Sequence, residues 1–164
     1  MKEATLCLLV RDNPVPEVLL GWKKVGFGAG KYAGFGGKVE PGETIPQAAV
    51  RELEEETGIR IPEQSLLPAG CLTFLFPARP SWSQVVHLFL VRAWEGQASE
   101  SREMRPRWFP VSNLPFDQMW QDSAHWLPPV LEGRGVRARF TFESDNETIA
   151  AMTQETWVLE PGAR

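Results

Sequence analysis

The chain has 164 residues, 43% of them hydrophobic, with fourteen glycines, fourteen prolines and a formal net charge of −4. That length fits one domain with a real core, and the glycine and proline content implies many loops without low-complexity disorder. With 17 basic against 21 acidic residues, no Lys/Arg run and no apolar run of about 18 residues, duplex nucleic-acid binding and membrane spanning are both excluded as expectations. In chain order, Thr5–Val10 reads as a strand, Asp12-Asn13-Pro14 as a turn, and Val18–Trp22 as a second strand. Six glycines fall between Gly26 and Gly37, a turn-forming stretch suited to close backbone approach to phosphates. The spacing predicts a helix over 44–58, with Thr44 as N-cap, Gln47 completing a capping box, Pro46 tolerated in the first turn and Gly58 as the stop.

Further strands are expected at Gly70–Phe76, Val85–Trp94 and Arg107–Val111. Residues 116–132 read as a helix interrupted by Pro128-Pro129. Val136, Ala138, Phe140 and Phe142 alternate with polar partners, which gives a strand with one buried face. Thr148–Leu159 is ambiguous between helix and strand and is assigned as strand. Many strands and about two helices indicate an α+β layered fold in a single domain spanning 1–164.

Acidic residues concentrate at one place. Glu40, Glu43, Glu52, Glu54, Glu55 and Glu56 put six carboxylates into 17 residues. On a helix, Glu52, Glu55 and Glu56 fall at about 0°, 300° and 40°, one arc, while Glu54 falls near 200° on the far side. Ile45, Ala49 and Leu53 form an apolar stripe beside that arc, so the three glutamates stand at the edge of the buried face. Arg51, at i,i+4, is placed to hold Glu55. Like charges on neighbouring turns cost an isolated helix about 0.2–0.5 kcal/mol per pair, and more beside a core. A solvated acidic face is the ordinary explanation for a Glu-rich helix, but this asymmetric placement after Gly36-Gly37 points to a hard divalent cation with oxygen ligands.

The run from Gly37 through Glu43 to Arg51-Glu52-Leu53-Glu54-Glu55-Glu56-Thr57-Gly58-Ile59 fits the pattern G-x5-E-x7-R-E-U-x-E-E-x-G-U at all nine specified positions. This segment, 37–59, resembles the Nudix box, and the chain is similar to the Nudix hydrolase family. Gly21–Gly30, Glu103–Phe109 and Leu114–Trp120 extend the likeness to the MutT-homologue subgroup that cleaves oxidised purine nucleoside triphosphates such as 8-oxo-dGTP and 2-hydroxy-dATP. The resemblance implies an α/β/α sandwich around a mixed sheet. It also implies Mg²⁺ as cofactor, with Mn²⁺ as an alternative, and release of the monophosphate and pyrophosphate.

By that resemblance Glu52, Glu55 and Glu56 match metal-ligand and catalytic positions, with Glu56 as the base or water-orienting group. The Gly36 carbonyl and the distant Glu103 match further ligands. Lys23 and Lys38 offer positive charge near the phosphates, and Phe35, Gly36 and Gly37 match substrate-binding positions. Thr5, Phe27, Phe74 and Trp120 match the lining of a purine pocket, with Trp120 as stacking platform. Asp122 matches one of two adjacent acidic residues that read the purine edge, but Ser123 stands where the second is expected. Ala33 stands where the subgroup often has Asn. Two polar readers of the base are therefore replaced, and such losses change base preference.

The competing readings are a Nudix hydrolase of another nucleoside diphosphate derivative and a catalytically silent nucleotide-binding domain. The Trp120 region argues against the first and the intact glutamates against the second. His87 and His125 are isolated and read as structural. Cys7 and Cys71 lack metal-site spacing and read as small buried hydrophobes in a reducing compartment. Lys2-Glu3 followed by Ala4–Val10 is too short for a signal peptide. A cytoplasmic monomer is the expectation.

Overall fold

Side-chain alternation along the strands sets the architecture. Cys7, Leu9, Leu19, Phe89 and Val91 are buried on one face of a sheet, while Leu8, Val18, Leu20, Leu88 and Leu90 are buried on the other. Each face needs a cover, and each receives one helix. The computed structural model describes residues 1–12 and 14–159, so Asn13 of the expected turn lies outside the described residues.

The elements are β1 (Lys2–Asp12), β2 (Pro16–Lys23), β3 (Tyr32–Ala33), α1 (Ile45–Thr57), β4 (Leu67–Leu75), β5 (Gln84–Val91), β6 (Met104–Pro110), α2 (Ser123–Leu131), β7 (Arg134–Phe142) and β8 (Ile149–Val158). The strands form one mixed sheet in the order β3-β2-β1-β5-β4-β7-β8, with β6 also paired to β2. The pairs β1–β5 and β4–β7 are parallel and the other pairs antiparallel. Ala49 and Leu53 of α1 belong to one core cluster, and Trp126, Leu127 and Val130 of α2 to the other. The result is the three-layer sandwich expected.

Two departures from the sequence reading matter. Strand β3, inside the glycine-rich stretch, is too short to carry a pattern. Helix α2 is not interrupted by its prolines; it begins only at Ser123, after a separate 3-10 turn at Phe116–Gln118, and then runs through Pro128 and Pro129. A helical proline removes the N–H that would bond the carbonyl four residues back. For Pro129 that carbonyl is His125, and Gln154 Nε2 of β8 donates to it at 2.9 Å.

β1 and β2 pair only over 9–12 and 16–19. Farther from that turn they part, and the 32–39 segment fills the gap, pairing with β2 at Ala33 and Tyr32 and bridging to β1 at Cys7 and Ala4. Gly36 and Gly37 lie in this wedge, facing α1.

Candidate active site

Helix α1 begins as its sequence dictates. Thr44 accepts from the Gln47 amide, the Gln47 side chain accepts from the Thr44 amide, and Gly58 closes the helix at φ 79°. With Ala49 and Leu53 fully buried, Glu56 is carried to 2% exposure, Glu52 is half-buried and Glu55 stays exposed. Glu54 points away and meets Arg60 at 2.7 Å.

The glycine wedge closes on these carboxylates. The Gly36 amide donates to Glu56 Oε1 at 2.9 Å. A Cβ on Gly36 would stand 1.7 Å from the Thr5 carbonyl oxygen, and one on Gly37 would stand 2.5 Å from the Glu52 carboxylate carbon. The Gly36 contact is with fixed β1 backbone, so only glycine fits there, whereas a side chain at Gly37 would have to displace the Glu52 carboxylate.

Two internal cations divide the carboxylates between them. Arg51, expected to hold Glu55, is anchored first on Glu43, at 2.6 and 3.0 Å, then on Glu52 at 2.9 Å and on Glu55 only at 3.3 Å. It also donates to the Lys38 carbonyl at 3.0 Å. Those bonds hold the Glu43 carboxyl down at about 2. Glu43 in turn accepts from the Glu40 amide, which ties the loop to the helix start. Lys23, at the end of β2, lies 3.1 Å from Glu103 and 3.8 Å from Glu56. Glu103 itself is exposed beside the start of β6, and the antiparallel β2–β6 pairing brings it here.

Glu56 Oε2 is buried without a hydrogen-bond partner. Burial pushes this carboxyl up to about 8 against the opposing pull of Lys23 and the Gly36 amide, and Glu52 and Glu103 push it further. Among the described residues no three acidic, His or Cys side chains converge on one point. An orphaned buried carboxylate oxygen amid hard oxygen donors nevertheless suits a divalent cation, which would satisfy it.

A cavity of about 410 Å³ runs from Glu56, Lys23 and the Gly36-Gly37 backbone to an aromatic pocket between the sheet and α2. Thr5, Phe27, Ala33, Lys38, Phe74, Trp120, Asp122 and Ser123 all line it. Phe35 does not: its ring is fully buried in the α1-side core, so the structure does not bring its side chain together with the other expected substrate contacts. Trp120 carries Phe27 stacked on it, centroids 5.5 Å apart and planes 19° from parallel. Thr5, Asp122 and Ser123 are almost wholly buried. Asp122 accepts from Trp126 Nε1 at 2.7 Å, and burial pushes its carboxyl up to about 6 against that bond.

Trp126, Trp82 and Phe76 also line the cavity, and the sequence reading does not include them. Trp126 was recoverable, since it stands at i+4 from Asp122 in a segment read as helical. Trp82 and Phe76 flank a loop whose return to the pocket has no local signal. His87 meets Glu3 at 2.9 Å, away from the cavity lining, and His125 likewise stays outside it.

The NUDIX domain family model matches residues 1–130. The chain belongs to the Nudix family. Enzymes of this family generally use a divalent metal ion. The chain is 45% identical over 148 residues to the oxidized purine nucleoside triphosphate hydrolase of Danio rerio, covering 90% of this chain and 91% of that one. It is 41% identical over 149 residues to the Mus musculus protein of the same name, covering 91% and 93%. The solved Mutator MutT protein of Bacillus halodurans superposes with a TM-score of 0.77 at 22% identity, covering 94% of this chain and 98% of that one, and so shares the Nudix fold. No described helix is long and apolar enough to cross a membrane.

Proposed function

We propose that this Nudix protein hydrolyses oxidised or otherwise modified purine nucleoside triphosphates to the monophosphate and pyrophosphate, clearing them from the nucleotide pool. The observation that carries the reading is the single cavity with Glu56 at one end and Trp120 and Asp122 at the other. A ligand that joins a planar base to a phosphate chain has the chemistry to meet both ends. The names of the relatives from Danio rerio and Mus musculus agree with that chemistry.

The reading assigns Mg²⁺ to Glu52, Glu55, Glu56, Glu103 and the Gly36 carbonyl, with Mn²⁺ able to replace it. A bound divalent ion would offset phosphate charge and acidify water. The chain's own groups do the rest. Glu56 orients water and accepts its proton, and Lys23 and Lys38 face the phosphates. Thr5, Phe27, Phe74, Trp120, Asp122 and Ser123 hold the base, with Gly36 and Gly37 giving backbone access. The unpaired Cys7 and Cys71 suit a reducing compartment, so the cytoplasm is the proposed place of action, with the chain acting as a monomer.

The test is a panel of canonical and oxidised purine and pyrimidine triphosphates in Mg²⁺, with products identified. Release of pyrophosphate from oxidised purines ahead of pyrimidines supports the reading. Release of inorganic phosphate, or no metal-dependent release from any nucleotide, would refute it.

A further inference from the structure

The two cations that neutralise the carboxylates are held very differently. Arg51 is fixed by two bonds to Glu43 and one to the Lys38 carbonyl, so it cannot leave without breaking the start of α1. Lys23 has no such anchor: among the described residues its ammonium meets only Glu103 at 3.1 Å and Glu56 at 3.8 Å. Its side chain keeps 19% of its exposure and lines the cavity that leads to the aromatic pocket. The oxygen it approaches on Glu56 is the one with no hydrogen-bond partner.

We propose that Lys23 is an exchangeable counter-ion, which sits against Glu56 and Glu103 until a divalent cation takes those carboxyl groups and frees the ammonium for the substrate phosphates. This rests on the carboxylate-site reading given under the proposed function. A buried carboxylate such as Glu56 without a nearby positive charge is costly. Lys23 lowers that cost in the metal-free protein, and it therefore opposes metal binding. The long flexible lysine stem suits a group that changes partners, whereas the rigid fork of Arg51 suits one that stays.

Three measurements decide the matter without reference to turnover. Mn²⁺ binding, followed by the electron paramagnetic resonance of the free ion with no nucleotide present, should tighten about three- to tenfold in Lys23→Met, the range an ion pair of this partial burial commands. It should stay near the parent value in Lys23→Arg, which keeps the charge. In the unmodified protein, acetic anhydride labelling of Lys23, read by mass spectrometry, should rise when Mn²⁺ is added while Lys31 labelling stays constant. Unchanged or weaker Mn²⁺ binding in Lys23→Met, or Lys23 labelling that does not rise, overturns the exchange. Mn²⁺ binding that Glu56→Gln leaves untouched would overturn the carboxylate site itself, and the exchange with it.

Discussion

Asp122 is a carboxyl placed where its charge is poorly tolerated: 3% exposed and bonded to Trp126 Nε1. Burial raises it from 3.8 to about 6. The folded chain therefore binds this proton more tightly than the unfolded chain. The stability linked to it is present in full below pH 4 and lost as pH rises through 6, a change of about 3 kcal/mol. Asp122→Asn removes the charge and keeps an acceptor for Trp126. It should raise Tm at pH 8 and leave it unchanged at pH 4. A gain equal at both pH values would mean that charge burial is not the cause. Glu56→Gln should leave folding intact and lower turnover by about two orders of magnitude, since the amide ligates a hard cation poorly and cannot accept a proton. Near-normal turnover in the pure variant would remove Glu56 from the chemistry. At this scale the box glutamates were legible because spacing alone puts them on one arc. The burial of Phe35 was not, because it follows from the bridge its segment makes to Cys7 of β1, outside any regular strand and without a local signal.

Helix α1 was legible end to end because its signals are local: Thr44 and Gln47 at the start, Gly58 at the stop, Ala49 and Leu53 between. Its cap is worth about 1 kcal/mol by the usual measure. Thr44→Ala should lower stability by that amount in denaturant melts and speed amide exchange in the first turn of α1. Exchange that speeds elsewhere instead would place the loss outside the cap. Helix α2 runs on where its prolines predict an interruption, because the carbonyl of His125, left free by Pro129, accepts from Gln154, 29 residues from His125. Glu103 likewise depends on a distant partner, reaching the site only through the β2–β6 pairing. Its removal in Glu103→Ala should raise the Mg²⁺ concentration needed for half-maximal rate. An unmoved magnesium titration would make Glu103 a surface residue that happens to pair with Lys23.

Across the whole molecule, the sheet separates two kinds of work. The α1 side packs a core and presents carboxylates at its edge, while the α2 side holds the aromatic pocket, and the gap between β1 and β2 lets one cavity touch both. Composition and alternation foretold the layers; the continuity of the cavity required the fold. Base selection and metal dependence should therefore be separable. Ala33, Asp122 and the buried Ser123 all line the aromatic end of the cavity, and of the three only Asp122 is acidic. The direct test is kcat/KM for oxidised guanine, oxidised adenine and pyrimidine triphosphates in the parent and in Asp122→Asn, each with a Mg²⁺ titration. The ratio between the two oxidised purines should shift in Asp122→Asn while the Mg²⁺ midpoint stays where it was. A uniform loss across all nucleotides, pyrimidines included, would contradict the account.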